Sequence, residues 1–326
     1  MLKLVVKLVL FALLIGVSMQ AMFVGARRLE KRYYEDSSYA WVNHQSAKPN
    51  IVILGSSTAL FNLSSREVCS KLDLKDGEVI NIGGNKRGPI EMYHFWNTIA
   101  QSSDSVRIVL MTVDPWIGYQ SYDWVQEFPT LYWSPWQRLY AVVDSGFPRF
   151  VLSGMIVTEV FKKSVRQILH SSTLNLDPPE DYGSEIMPLH VKKSSEHARG
   201  YFGETSVYPV SELYMSRMAM LKRSVEKQGA KFILVLPPKQ KVWLDEFKST
   251  CRELDSDFVS HLNAVLGPTR VIGSFAQFSV KGDSALFIDY AHLSAEGQRR
   301  FSDSIAVHLP EVLASEPKYL NSLSSY

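Results

Sequence analysis

The sequence predicts an α/β protein with a central parallel sheet covered by helices on both sides, and two kinds of observation carry that expectation. Residues 51–54 form a short, continuous apolar run with the β-branched character of a strand buried on both faces, and similar, largely apolar runs recur at residues 78–82, 106–113 and 231–236. Stretches of helical character lie among and beyond them, at residues 90–100, 151–169, 211–228 and 253–266. Strand alternating with helix gives parallel strands joined by crossovers.

The 326 residues are 46% hydrophobic and 21% charged, an ordinary globular balance that suits one large domain or one domain carrying an insertion. Formal net charge is only +2, and no basic run interleaved with aromatics occurs. That leaves no electrostatic footprint for nucleic acid. Cys69 and Cys251 stand far apart and lack the spacing of a zinc or redox site, so they read either as one disulfide or as two unrelated buried thiols. The histidines other than His292 show no ligand spacing with cysteines or carboxylates, and no metal is expected.

The N-terminus carries the compartment signal. After Lys3 and Lys7, residues 8–26 are free of charge, and Arg27, Arg28, Lys31 and Arg32 close the run. At about 1.5 Å per residue such a helix spans roughly the ~30 Å hydrocarbon layer. Residues 1–28 therefore read as a single membrane anchor, with a cleaved signal peptide ending at Val24-Gly25-Ala26 as the rival. Counting positive charges alone would put the body on the cytoplasmic side, because the downstream flank is at least as basic as the upstream one.

Residues 29–49 read as a juxtamembrane stalk, 50–310 as the folded domain and 311–326 as a C-terminal tail. Residues 115–203 break the strand and helix alternation and read as an insertion. Its first part is dense in aromatics from Trp116 to Tyr140, which suits a sugar platform, a membrane-interface surface or a small satellite core. Its later part is polar, contains Pro178-Pro179, and suits a surface loop or lid.

Two short segments carry chemistry. Gly55-Ser56-Ser57-Thr58 directly follows the first strand, so its serines stand at the carboxyl edge of the sheet, where such folds place ligands. Glycine permits the tight turn, and a following helix start directs N–H groups at developing negative charge. Ser and Thr are also ordinary helix caps, which is the plain alternative. Near the other end, Asp289-Tyr290-Ala291-His292 precedes Ser294, a good cap, and Glu296 in the first turn of a helix running towards His308. An Asp and a His on a bent loop ahead of a helix start can face one pocket, with the acid holding one ring nitrogen and the other left to take a proton.

These two blocks together resemble the SGNH, or GDSL-like, hydrolase superfamily, which implies a three-layer flavodoxin-like fold. Gly55-Ser56-Ser57 is similar to its first block with Ser in place of the usual Asp. Asp289-Tyr290-Ala291-His292-Leu293 is similar to its last. The resemblance implies Ser57 as nucleophile, His292 as base, Asp289 as the acid that orients it, and no cofactor. It also implies an oxyanion hole built from the Ser57 N–H and a glycine after the second strand, for which Gly83, Gly84 and Gly88 are all candidates. An Asn expected after the third strand is replaced by Asp114-Pro115-Trp116. Asp114 is then a substrate contact together with Trp116, a structural cap, or a sign that the hole has fewer donors.

Ser for Asp, the single N-terminal apolar segment, Asp-Pro-Trp and Leu236-Pro237-Pro238 resemble one branch in particular. Its members work outside the cytoplasm beside multi-pass membrane-bound O-acyltransferases, in alginate acetylation and in D-alanine transfer to teichoic acid. That resemblance implies acyl transfer to, or hydrolysis from, a cell-envelope polysaccharide or other acylated carbohydrate through an acyl-serine, with an O-acyltransferase as partner. It also reverses the orientation that the charge count suggests. The alternative is a non-catalytic subunit that keeps the fold and binds glycan or a membrane partner.

Overall fold

The computed structural model describes residues 2–33, 48–84, 88–114, 181, 184–185, 212–241, 244, 254–278 and 283–314. The chain divides into two compact units, residues 1–36 with 122–175 and residues 37–121 with 176–326. Of the first unit, the described part is one 32-residue helix, α1, Leu2–Tyr33. Among the described residues no helix is long and apolar enough to cross a membrane, so the transmembrane anchor expected over residues 1–28 is not supported by the structure. The same helix leaves Leu10, Phe11, Leu13, Leu14 and Val17 exposed, and it runs through Tyr33 into the stretch expected to be a stalk.

Among the described residues, the second unit is built on a five-stranded, wholly parallel sheet. Its strands are β1 (Ile51–Leu54), β2 (Val79–Asn81), β3 (Ile108–Thr112), β4 (Lys231–Leu236) and β5 (Arg270–Gly273), in the order β2-β1-β3-β4-β5. All four neighbouring pairs are parallel, with Ile51 opposite both Val79 and Ile108, Thr112 opposite Val235, and Leu236 opposite Gly273. This is the doubly wound order of the flavodoxin type. The chain leaves β1 towards β2 and crosses back to β3 on the other side. The carboxyl ends of β1 and β3 therefore flank the point where the winding reverses, the usual place for a ligand crevice. The fifth strand was not among the expected runs, because an edge strand reading Arg-Val-Ile-Gly is half exposed and offers no continuous apolar signal.

Both faces of the sheet are covered. Alternate strand residues Ile51, Ile53, Ile108, Leu110, Ile233 and Val235 join one core with Val68 of α3 (Ser65–Lys71) and Phe301 and Ile305 of α7 (Ala295–Ala306). The intervening residues Val52, Leu54, Val109, Met111 and Leu234 are equally buried and point the other way. On that side lie α4 (Pro89–Ser102) and α5 (Glu212–Lys227), packed together and joined through Ser224, which accepts from Trp96 Nε1 at 3.2 Å and donates to Asn97 Oδ1 at 3.0 Å. Each fully buried Leu, Ile or Phe contributes about 1.5–3 kcal/mol, so the two cores hold the strand ends firmly in register. A further helix, α6 (Leu254–Leu266), packs against α5. The helix expected at residues 151–169 and most of the 115–203 insertion lie outside the described residues.

Candidate active site

β1 ends in a turn that only glycine fits. Gly55 has φ of 148°, and a Cβ there would come within 2.0 Å of Thr112 Oγ1 on the neighbouring strand. Ser56 then caps the short helix α2 (Ser57–Asn62), its Oγ accepting from the Thr58 N–H at 3.4 Å. Ser57 thereby becomes the first helical residue. Its N–H donates to no acceptor among the described residues. The cap that the sequence offers as a plain alternative is thus real, but it is Ser56 that provides it, while Ser57 is left only partly buried at the sheet edge.

The second half of the site is a knot of hydrogen bonds around Asp289. Its Oδ1 accepts the Ala291 and His292 N–H groups, each at 2.8 Å, and its Oδ2 meets His292 Nδ1 at 2.8 Å. The carboxylate only accepts, so Nδ1 carries the proton and Nε2 is the free lone pair. That lone pair lies 2.9 Å from Ser57 Oγ, across 235 positions of sequence. Ser57, His292 and Asp289 therefore form one continuous chain of hydrogen bonds. Burial pushes the Asp289 carboxyl up. The hydrogen bond and charge of His292, with the two amide donors, outweigh it and leave the group below the usual carboxylate value.

Asn62, which the sequence reading passed over, fastens the two halves together. Its Nδ2 donates to Ala291 O at 2.8 Å and its Oδ1 accepts from the Leu293 N–H at 3.0 Å, so the last residue of α2 grips the loop on both sides of His292. Phe61 sets an edge against the imidazole, ring centroids 5.4 Å apart and planes at 86°. Ser294 caps α7 as expected, accepting from the Gly297 N–H at 3.3 Å. Nothing in a lone Asn between Phe61 and Leu63 signals such a clamp before the fold is known.

Several expected contributions are placed elsewhere. The Gly83 N–H donates to Asn81 Oδ1 at 2.8 Å and the Gly84 N–H to Gly55 O at 3.2 Å, so neither amide is free to hold an oxyanion. Gly83 is needed for packing instead, because a Cβ there would meet Ala59 Cβ at 2.5 Å and the Leu60 amide at 2.7 Å. Gly88 is buried just before α4 and accepts from the Met92 N–H at 3.1 Å. Asp114 is not a substrate contact: it is wholly buried, ion-paired with the equally buried Lys239, and accepts hydroxyls from Ser56 at 2.9 Å and Thr58 at 2.8 Å. Its role here is that of a buried ion-pair partner, which differs from the cap that was expected. The negative charge is drawn inward because a buried cation meets it there. Trp116 lies outside the described residues.

Lys239 was also missed. Its signal lay in topology: Asp114 stands two residues beyond Thr112, and Pro237 two beyond the paired Val235, so a lysine after the two prolines emerges beside that carboxylate. Burial pushes the Lys239 ammonium down, opposed by the charge and hydrogen bond of Asp114 and by the charge of Asp289. Cys69 is a free, buried thiol, pushed up to about 11 by burial, and Cys251 lies outside the described residues. Among the described residues no group of three or more His, Cys, Asp or Glu could hold a metal ion.

No protein-family model matches the sequence, and no curated protein matches it. Three of the solved structures that are distantly similar can be named. One, provisionally named a platelet activating factor, from Streptococcus pneumonia, has TM-score 0.40 and 11% identity over 94% of this chain and 99% of its own. Another, provisionally named a lipolytic protein of the G-D-S-L family, from Desulfitobacterium hafniense DCB-2, has TM-score 0.38 and 12% identity over 79% of this chain and 97% of its own. The third, provisionally named an acylhydrolase, from Bacteroides fragilis NCTC 9343, has TM-score 0.39 and 10% identity over 84% of this chain and 95% of its own. Likenesses this distant carry no statement about what this chain does.

Proposed function

We propose that the chain is a serine-dependent acyl-ester enzyme in which Ser57 is the nucleophile, His292 the base and Asp289 the residue that orients and stabilises the imidazole. The observation that carries this is the unbroken chain from Asp289 Oδ2 to His292 Nδ1 at 2.8 Å and from His292 Nε2 to Ser57 Oγ at 2.9 Å. Ser57 Oγ attacks the acyl carbonyl as its proton passes to Nε2, and Asp289 stabilises the imidazolium that forms. The carbonyl oxygen turns towards the Ser57 N–H at the helix start. Collapse of the tetrahedral species breaks the ester bond, and the leaving alkoxide takes the proton from His292. Water or a second hydroxyl, deprotonated by His292, then releases the acyl group from Ser57.

In the finer reading, the acyl group comes from or goes to a cell-envelope carbohydrate outside the cytoplasm, beside a multi-pass O-acyltransferase. What supports it is the sequence resemblance stated above. Attachment to a membrane is supported by the uncharged run at residues 8–26 and by the exposed apolar side chains of α1. Resistance of the full chain to extraction from membranes at alkaline pH tests that attachment. Protease access in intact cells tests on which side the body lies.

The enzymatic reading is tested by labelling with a serine-reactive fluorophosphonate and by turnover of an activated acetate ester. Ser57→Ala abolishes labelling, and both Ser57→Ala and His292→Ala lower ester turnover on the order of 10⁴-fold or more while melting as the parent does. Labelling that survives Ser57→Ala would sink the assignment. Two observations favour a second reading, a non-catalytic subunit of the same fold: Asp114 is turned inward where a side-chain donor was expected, and the Gly83 and Gly84 amides are engaged. Co-purification with an integral membrane protein, without labelling or turnover, selects that reading.

A further inference from the structure

We infer that Asp114 and Lys239 are positioning residues, a buried ion pair that fixes the turn carrying Ser57 and keeps a negative charge away from the oxyanion site. The inference rests on the reading of Ser57 as nucleophile. The residues on either side of Ser57 are tied to a single atom: the Ser56 and Thr58 hydroxyls both donate to Asp114 Oδ2, at 2.9 and 2.8 Å. The other oxygen, Oδ1, is occupied by Lys239 Nζ. One carboxylate thus holds both neighbours of the nucleophile, and its remaining oxygen is held by a cation, so neither can swing without breaking a buried bond.

The backbone of Lys239 links this device to the other half of the site. Pro237 and Pro238 stiffen the end of β4, the Lys239 N–H donates to Phe275 O at 2.8 Å, and the Gln240 N–H donates to Tyr290 O at 3.0 Å. Tyr290 sits between Asp289 and His292, so one short segment indexes the serine turn through its side chain and the histidine loop through its backbone. Asp114 stands at the carboxyl end of β3, beside the turn whose free N–H faces the developing oxyanion. An uncompensated carboxylate there would oppose that charge. The Lys239 ammonium offsets it and draws it towards the interior.

The experiment compares the full chain with Thr58→Val and with the charge-neutral double variant Asp114→Asn/Lys239→Met, following fluorophosphonate labelling rate, kcat and KM for an activated ester, and thermal melting. Thr58→Val removes one of the two ties and is nearly isosteric. Its labelling rate and kcat fall several-fold at unchanged KM, beyond the modest drop in melting that loss of one buried hydrogen bond brings. The double variant folds, and its labelling slows about 10- to 100-fold, less than the loss expected from deleting an oxyanion donor outright. A role in packing alone would move melting and leave kcat in place. Folded variants that both label at the parental rate overturn the inference while leaving the serine reading standing. Failure of the unmodified chain to label overturns the serine reading, and this inference with it.

Discussion

Asn62 holds the backbone on either side of His292 while Asp289 holds its ring, and their substitutions separate aim from charge. Asn62→Ala removes both bonds to the loop around His292, leaving the Ala291 carbonyl and the Leu293 N–H without their partner. That costs about 1–3 kcal/mol for each buried group left unsatisfied. The expected outcome is a melting temperature lowered accordingly and labelling of Ser57 slowed about ten-fold, because a displaced base loses its near-attack geometry. Asp289 predicts a pH dependence. Its folded carboxyl lies below the ordinary value of 3.8, so the folded state favours its ionised form. The stability it contributes is complete above that ordinary value and is lost as pH falls through the lower, folded one. Melting temperature measured downwards from neutral pH should decline in that acid window, and Asp289→Asn should flatten the decline.

At the scale of elements, the short segment containing Asp181, Ser184 and Glu185 is stitched across the helices next to the serine turn. Asp181 Oδ1 accepts the Arg66 N–H at 2.6 Å, Ser184 Oγ accepts the Ser65 N–H at 2.9 Å, and the Glu185 N–H donates to Leu60 O at 3.0 Å. Here the sign is opposite to that of Asp289. Burial raises the Asp181 carboxyl, against the hydrogen bonds from Ser64 and the Arg66 amide, so the fold holds its proton more tightly than the unfolded chain does. Stability is then lost as pH rises through the ordinary value of 3.8 and on to the raised, folded one. Asp181→Asn keeps an acceptor for the Arg66 N–H and tolerates the φ of 50° at this position. The expected outcome is a higher melting temperature at neutral pH and no gain at pH 3. No gain at either pH would mean that Asp181 is not held against its charge.

Across the second unit, the ion pair of Asp114 and Lys239 joins the ends of β3 and β4, and the Lys239 backbone reaches the segment after β5. Removing one partner strands a charge in a dry interior, which typically costs about 3–5 kcal/mol, whereas replacing both with neutral groups is often close to neutral. Lys239→Met alone should therefore melt far below the parent, and adding Asp114→Asn should restore most of the loss. A double variant no more stable than Lys239→Met would show that the two side chains are not coupled.

Apolar runs of β-branched residues, separated by helical stretches, determined a parallel α/β sheet, because a strand buried on both faces leaves an unbroken hydrophobic signature wherever it lies. They also put Ser57 at the carboxyl edge of the sheet, since that follows from chain order alone. β5 escaped because an edge strand needs few apolar residues, and residues 8–26, apolar enough to suggest a membrane span, drew no support from the helix that contains them. Which way each polar side chain faces was decided only by the tertiary structure. Asp114 points inward because a lysine from the segment after β4 waits there, Gly83 and Gly84 spend their amides on neighbours, and Asn62 grips a loop 229 positions away. Such directions depend on partners remote in the chain, and a local pattern of residues carries no information about a bond whose other end is set by packing.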